Sequence, residues 1–141
     1  MPLPNIDIRD LIPHRDGMML IGSILEVDEH RAVTCSVVSD QWPLVEKGYA
    51  NPILLVELVA QTAGVNNGWA RIKKRGLHSD KKGWLVGIKR ADFFIDRIPV
   101  NTAIEACAEN NFEYDNFREI RGTASVGGKI AARVILQVFQ P

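Results

Sequence analysis

Within the stretch "NPILLVELVAQTAG", which starts at Asn51, one acid stands among aliphatic residues. Glu57 is followed four positions later by Gln61. At about 100° per helical residue the two share a face, and Gly64 and Gly68 continue the same stripe. An ionised carboxylate in apolar surroundings costs several kcal/mol unless it is paired, so such a site favours a carboxyl group that holds its proton and can deliver it. A structural role is the competing reading, in which Glu57 bonds a hydroxyl or amide across an interface. Gln61 could bond the Glu57 carboxyl, hold a substrate hydroxyl, or cap a neighbouring strand.

The element that must position this pair is a helix with clear punctuation. Asn51 is a favoured N-cap, Pro52 suits the first helical position, and the basic turn "RIKKRG" ends at Gly76. Before it, "DIRDLIP" predicts a short helix closed by Pro13, and "MMLIGSILEVD" and "RAVTCSVVSD" predict a β-hairpin. "QWPLVEKGYANP" predicts a loop. After the helix come four strands, "GWLVGIKRADFFI", "TAIEACAENNFEY", "FREIRGTASV" and "KIAARVILQVFQ", the last two joined at Gly127-Gly128. Strands grouped in runs around one long helix predict an α+β fold with an antiparallel sheet. A helix apolar on all sides needs cover on all sides, and the sequence predicts that a second copy supplies the missing wall in a dimer.

The chain has 141 residues, the size of one domain spanning residues 1–141, with 17 Lys+Arg against 17 Asp+Glu. That balance gives no basic surplus for nucleic acid or an anionic membrane. No run is long enough to span a bilayer and no leader pattern opens the chain, so a cytoplasmic location is expected. Cys35 and Cys107 fall in strand-like stretches and are expected to be reduced, and the three histidines and two cysteines form no close metal-ligand spacing. His30 sits in a turn and His78 in a polar loop, neither a position that suggests catalysis.

Two motifs carry a resemblance that runs over nearly the whole chain. "LIPHRDGMMLIGSILEVD" and "ILLVELVAQTAG" resemble the opening segment and the acid-bearing helix of the hotdog-fold 3-hydroxyacyl-acyl-carrier-protein dehydratases. The resemblance implies a long central helix wrapped by an antiparallel sheet of about five or six strands, paired as a dimer or higher oligomer. It also implies removal of water from a 3-hydroxyacyl thioester, borne on acyl carrier protein or coenzyme A and needing no further cofactor. In that family a loop histidine removes the α-proton and the helix acid assists departure of the hydroxyl. Glu57 matches the acid, but Pro43 stands where the histidine belongs. Pro52 replaces a glycine whose N–H polarises the carbonyl, and proline has no N–H.

These departures narrow the resemblance to dehydratase-like proteins of aryl-polyene and related lipid pathways. They make His14 the candidate replacement base and leave the Ile53 amide as a partial oxyanion donor. Asn51 is an N-cap beside the site, and Met18 a candidate wall of the acyl channel. Trp42, Tyr49, Phe93 and Phe94 could be pocket walls, core or interface. The "RIKKRG" end could complement the helix dipole or attract an acidic carrier. Two other functions stay open: a thioesterase that needs only one carboxylate, and an acyl-binding subunit without activity.

Overall fold

The computed structural model describes residues 7–12, 18–76 and 84–139. The elements are α1 (Ile8–Leu11), β1 (Ser23–Val27), β2 (Arg31–Val37), β3 (Val45–Glu46), β4 (Tyr49–Ala50) and α2 (Leu54–Arg75). They are followed by β5 (Trp84–Phe93), β6 (Ile98–Pro99), β7 (Ala103–Tyr114), β8 (Phe117–Val126) and β9 (Lys129–Phe139). Six strands form one antiparallel sheet in the order β1-β2-β7-β8-β9-β5. The expected α+β plan holds.

Alternation along the strands sorts the two faces of the sheet. Ile104, Ala106 and Ala108 of β7, Ile120 and Ala124 of β8, and Ala132, Val134 and Leu136 of β9 are buried against α2. Many of these are alanines, and that lets the helix lie close. At Gly122 the approach is closest: an added Cβ would meet Val59 Cγ1 at 2.1 Å. Register shifts in β1, β5, β7 and across β8/β9 add local twist, which bends the sheet around the helix. The Gly127-Gly128 turn has φ of 59° and 78°, the left-handed pair that a two-residue hairpin requires.

The other side of α2 is covered differently from the sequence expectation. The chain's own N-terminal segment packs there: a Cβ on Gly64 would lie 2.9 Å from Ile12 Cγ2, and one on Gly68 would lie 2.3 Å from the Leu11 carbonyl oxygen. Leu11, Ile12, Ile21, Val27, Ala32 and Val65 form a second apolar cluster, and Arg71 Nη2 donates to the Asp10 carbonyl at 2.9 Å. Leu55, Leu58, Val59 and Val65 are thus fully buried within one chain. The space of the missing side chains is taken by the Ile12 side chain at Gly64 and by the Leu11 backbone at Gly68.

Two further departures concern boundaries. The helix begins at Leu54 because its first turn is tighter than α: Leu54, Leu55 and Val56 donate to the carbonyls of Asn51, Pro52 and Ile53 at 3.1, 2.9 and 3.0 Å. β1 starts at Ser23 and not at Met18, since the backbone of residues 18–20 is bonded to a helix side chain. The expected loop between β2 and α2 contains the two-residue strands β3 and β4, which pair with each other, and β4 pairs with β6 in a small second sheet, β3-β4-β6. Strands this short leave no periodicity to read.

Gly68→Ala would push a methyl group into backbone that cannot rotate away. We expect it to lower stability by about 1–3 kcal/mol, measured by urea unfolding, with the loss concentrated in weaker docking of α1.

Candidate functional site

Glu57 lies in the first turn of α2 and is half-buried. Its Oε1 accepts a hydrogen bond of 2.9 Å from Gln61 Nε2, one helical turn on, as their spacing predicts. The same Nε2 donates to the Met18 carbonyl at 2.7 Å, while Gln61 Oε1 accepts from the Leu20 N–H at 3.0 Å. The network fixes which way the amide points, because only an oxygen can accept from Leu20 N–H and only a nitrogen can donate to Met18. Both N–H bonds of Gln61 are therefore occupied, and the residue is fully buried. Of the readings open for Gln61, the structure shows the bond to the Glu57 carboxyl, and the same amide ties the helix acid to the segment at Met18–Leu20.

The Ile53 amide has a partner within the helix start. It donates to Asn51 Oδ1 at 3.0 Å, and the next three amides are satisfied inside the tight first turn. No N–H in this turn stands ready for an oxyanion, because Asn51 and the 3₁₀ geometry take all of them. Asn51 is the cap it was expected to be, with its own N–H donating to the Leu44 carbonyl at 3.0 Å. The Ile53 side chain is 42% exposed and Met18 51%, so both remain available to line a site or an interface. His14, the candidate base, lies outside the described residues.

The aromatic residues divide. Trp42 packs against the main core, whereas Tyr49, Phe93 and Phe94 reach the surface, and the Arg97 guanidinium sits 4.0 Å from the centre of the Tyr49 ring. The "RIKKRG" segment also divides. Lys73, Lys74 and Arg75 are exposed, but Arg71 is only 6% exposed and clamps α1. Missed entirely by the sequence reading is the polar chain further along the helix, where Asn66 Nδ2 donates to the Asp28 carbonyl at 2.6 Å and Oδ1 accepts from Asn110 at 3.1 Å. Arg118 Nη1 donates to Asn67 Oδ1. The pair "NN" inside an apolar helix was the available signal.

Other chemistries find little support. Both cysteines are free, and burial pushes the Cys107 thiol above its ordinary range although Arg31 acts the other way. Neutral thiols are poor nucleophiles. Among the described residues no three His, Cys, Asp or Glu side chains converge as metal ligands, and no helix is long and apolar enough to cross a membrane.

Comparison with known proteins agrees with this fold. The ApeP-like family, described as ApeP dehydratase, matches residues 6–141. The 3-hydroxyacyl-[acyl-carrier-protein] dehydratase FabZ of Acetivibrio thermocellus is 33% identical over 141 residues, covering 92% of this chain and 89% of that protein. FabZ of Caldanaerobacter subterraneus is 29% identical, covering 92% of each. Among solved structures, the dehydratase heterocomplex ApeI:P from Xenorhabdus doucetiae superposes with a TM-score of 0.87 at 20% identity, covering 98% of this chain and 93% of that one. The fold is the hotdog fold.

If Gln61 holds the acid and the Met18–Leu20 backbone together, Gln61→Leu leaves a buried N–H and a buried carbonyl without partners. The expected cost is about 2–3 kcal/mol, read as a lower urea midpoint at unchanged slope. An unchanged midpoint would show that water replaces the amide.

Proposed function

The chain belongs to the ApeP-like dehydratase family, and from that premise we propose that it takes part in removing water from a 3-hydroxyacyl thioester held on acyl carrier protein, in fatty-acid or polyene-type lipid synthesis. Coenzyme A is the alternative carrier. The observation that carries the reading is the Gln61 bridge, which holds the Glu57 carboxyl at a fixed height on the helix against Met18–Leu20. In the reaction, a base removes the proton from the carbon next to the thioester carbonyl. The Glu57 carboxylic acid delivers its proton to the hydroxyl on the following carbon, the C–O bond breaks, and enoyl thioester and water leave. Within this chain we assign the base to His14, with Met18 and Ile53 as walls for the acyl chain.

The partner is a second hotdog chain, either a copy of this one or a related subunit. Among the described residues β5 pairs only with β9, and Val86 and Ile88 on it are 55% and 47% exposed, a sheet edge and apolar surface suited to pairing. The likeness to a heterocomplex favours a related subunit, and the satisfied amides at the helix start favour one that completes the site. That is the second reading: this chain supplies the acid and scaffold while the other chain presents a histidine and the oxyanion donors. Lys74 and Arg75 at the exposed helix end suit an acidic carrier protein.

Hydration of an enoyl thioester, followed by loss of its ultraviolet absorbance, tests the assignment. Glu57→Gln is expected to lower kcat by at least about 100-fold with the fold intact, and full retention would remove Glu57 from the mechanism. The same assay on the chain alone and with a co-purified histidine-bearing hotdog subunit separates the two readings. Release of free thiol from the thioester, with no hydration, would replace both with a thioesterase.

A further inference from the structure

The face of the sheet turned away from α2 holds a groove of about 570 Å³, remote from Glu57. Its walls come from four strands, and its lining includes three arginines, Arg90, Arg121 and Arg133, against two acids, Asp92 and Glu109. Register places them. Arg90 of β5 and Arg121 of β8 both lie opposite Ile135 of β9, while Arg133 of β9 lies opposite Thr123 and Asp92. The three cations therefore share one face around Ile135, with Arg121 and Arg133 as diagonal neighbours on adjacent strands.

Acids lie directly opposite two of these cations, Glu109 to Arg121 and Asp92 to Arg133, but among the described residues neither pair closes to an ion pair. Asp92 is bound to Arg90 at 2.7 Å, and Glu119 to Lys89 at 2.9 Å and Asn111 at 2.7 Å. Glu109 is in register with Arg121 but forms no ion pair within 4.0 Å. Arg121 and Arg133 have no hydrogen-bond or ion-pair partner among the described residues, and Arg133 has only the exposed Phe94 ring, 6.0 Å away. Two forked cations on adjacent strands, with their guanidinium donors unused among the described residues, match the several oxygens of a phosphate group, which arginine binds in a bidentate manner.

We propose that this outer-face groove binds a phosphate group, clamped between Arg121 and Arg133, with the Thr123 hydroxyl between the strands as a further donor. The site is independent of the chemistry proposed at Glu57. The group could arrive as free phosphate or as the ester of a phosphopantetheine arm, which share this chemistry.

Nuclear magnetic resonance of the arginine Nε–H groups, with the full chain titrated in turn with inorganic phosphate, 4′-phosphopantetheine and pantetheine, tests the proposal. Saturable shifts of Arg121 and Arg133 are expected with both phosphate compounds and not with pantetheine. At least tenfold tighter binding of phosphopantetheine would identify the carried ester, and equal affinity would identify free phosphate. The Arg121→Gln/Arg133→Gln variant should weaken binding at least tenfold, and Lys129→Gln, an exposed control, should not. Because Arg121→Gln removes no hydrogen bond or ion pair among the described residues, its melting temperature in phosphate-free buffer should stay at that of the wild type. The proposal fails if millimolar phosphate gives no saturable shift, if both variants weaken binding equally, or if Arg121→Gln melts lower without ligand.

Discussion

Gln61 binds three partners at once: the Met18 carbonyl, the Leu20 N–H and the Glu57 carboxylate. Because it is fully buried, each lost partner would leave a desolvated polar group, so the bridge is an all-or-none constraint. It joins the start of the chain to the helix at the level of the acid. The position of β1, the path of the preceding segment and the orientation of Glu57 all depend on it.

A second constraint is the distance at which α2 can be covered. On one side, Gly122 and the inner-face alanines bring the sheet up to Val59. On the other, Gly64 and Gly68 admit the backbone and side chains of Leu11 and Ile12. The helix is held between two small-residue surfaces, so its rotation about its own axis is fixed by shape. That rotation directs Glu57 and Gln61 toward Met18–Leu20 and away from the sheet.

How much of this was legible depended on the range of the interaction. The six long strands and the glycine turn follow from alternation and local backbone chemistry, and the structure keeps them. The Glu57–Gln61 contact follows from helical spacing alone. The sequence expectation put a second copy against the helix and did not foresee Leu11 and Ile12 over Gly64 and Gly68, because the glycines announce a close approach without naming what approaches. The loss of the Ile53 amide was hidden for a similar reason: an Asn-Pro start is compatible with either an α or a 3₁₀ first turn, and only the tighter one uses every N–H. Asn66, Asn67 and Arg118 meet through contacts far apart in sequence, and no local pattern foretells such pairs.

The clamp from Arg71 to the Asp10 carbonyl spans 61 positions, and the bond from Gln61 to Met18 spans 43. Contacts of such separation carry a larger loop-closure cost than those inside the helix or a hairpin. Until the segment at Met18–Leu20 docks, the Gln61 amide bonds water in place of the Met18 carbonyl and the Leu20 N–H. The bridge is thus coupled to a local opening equilibrium of that segment, and amide exchange at Leu20 would report its breaking.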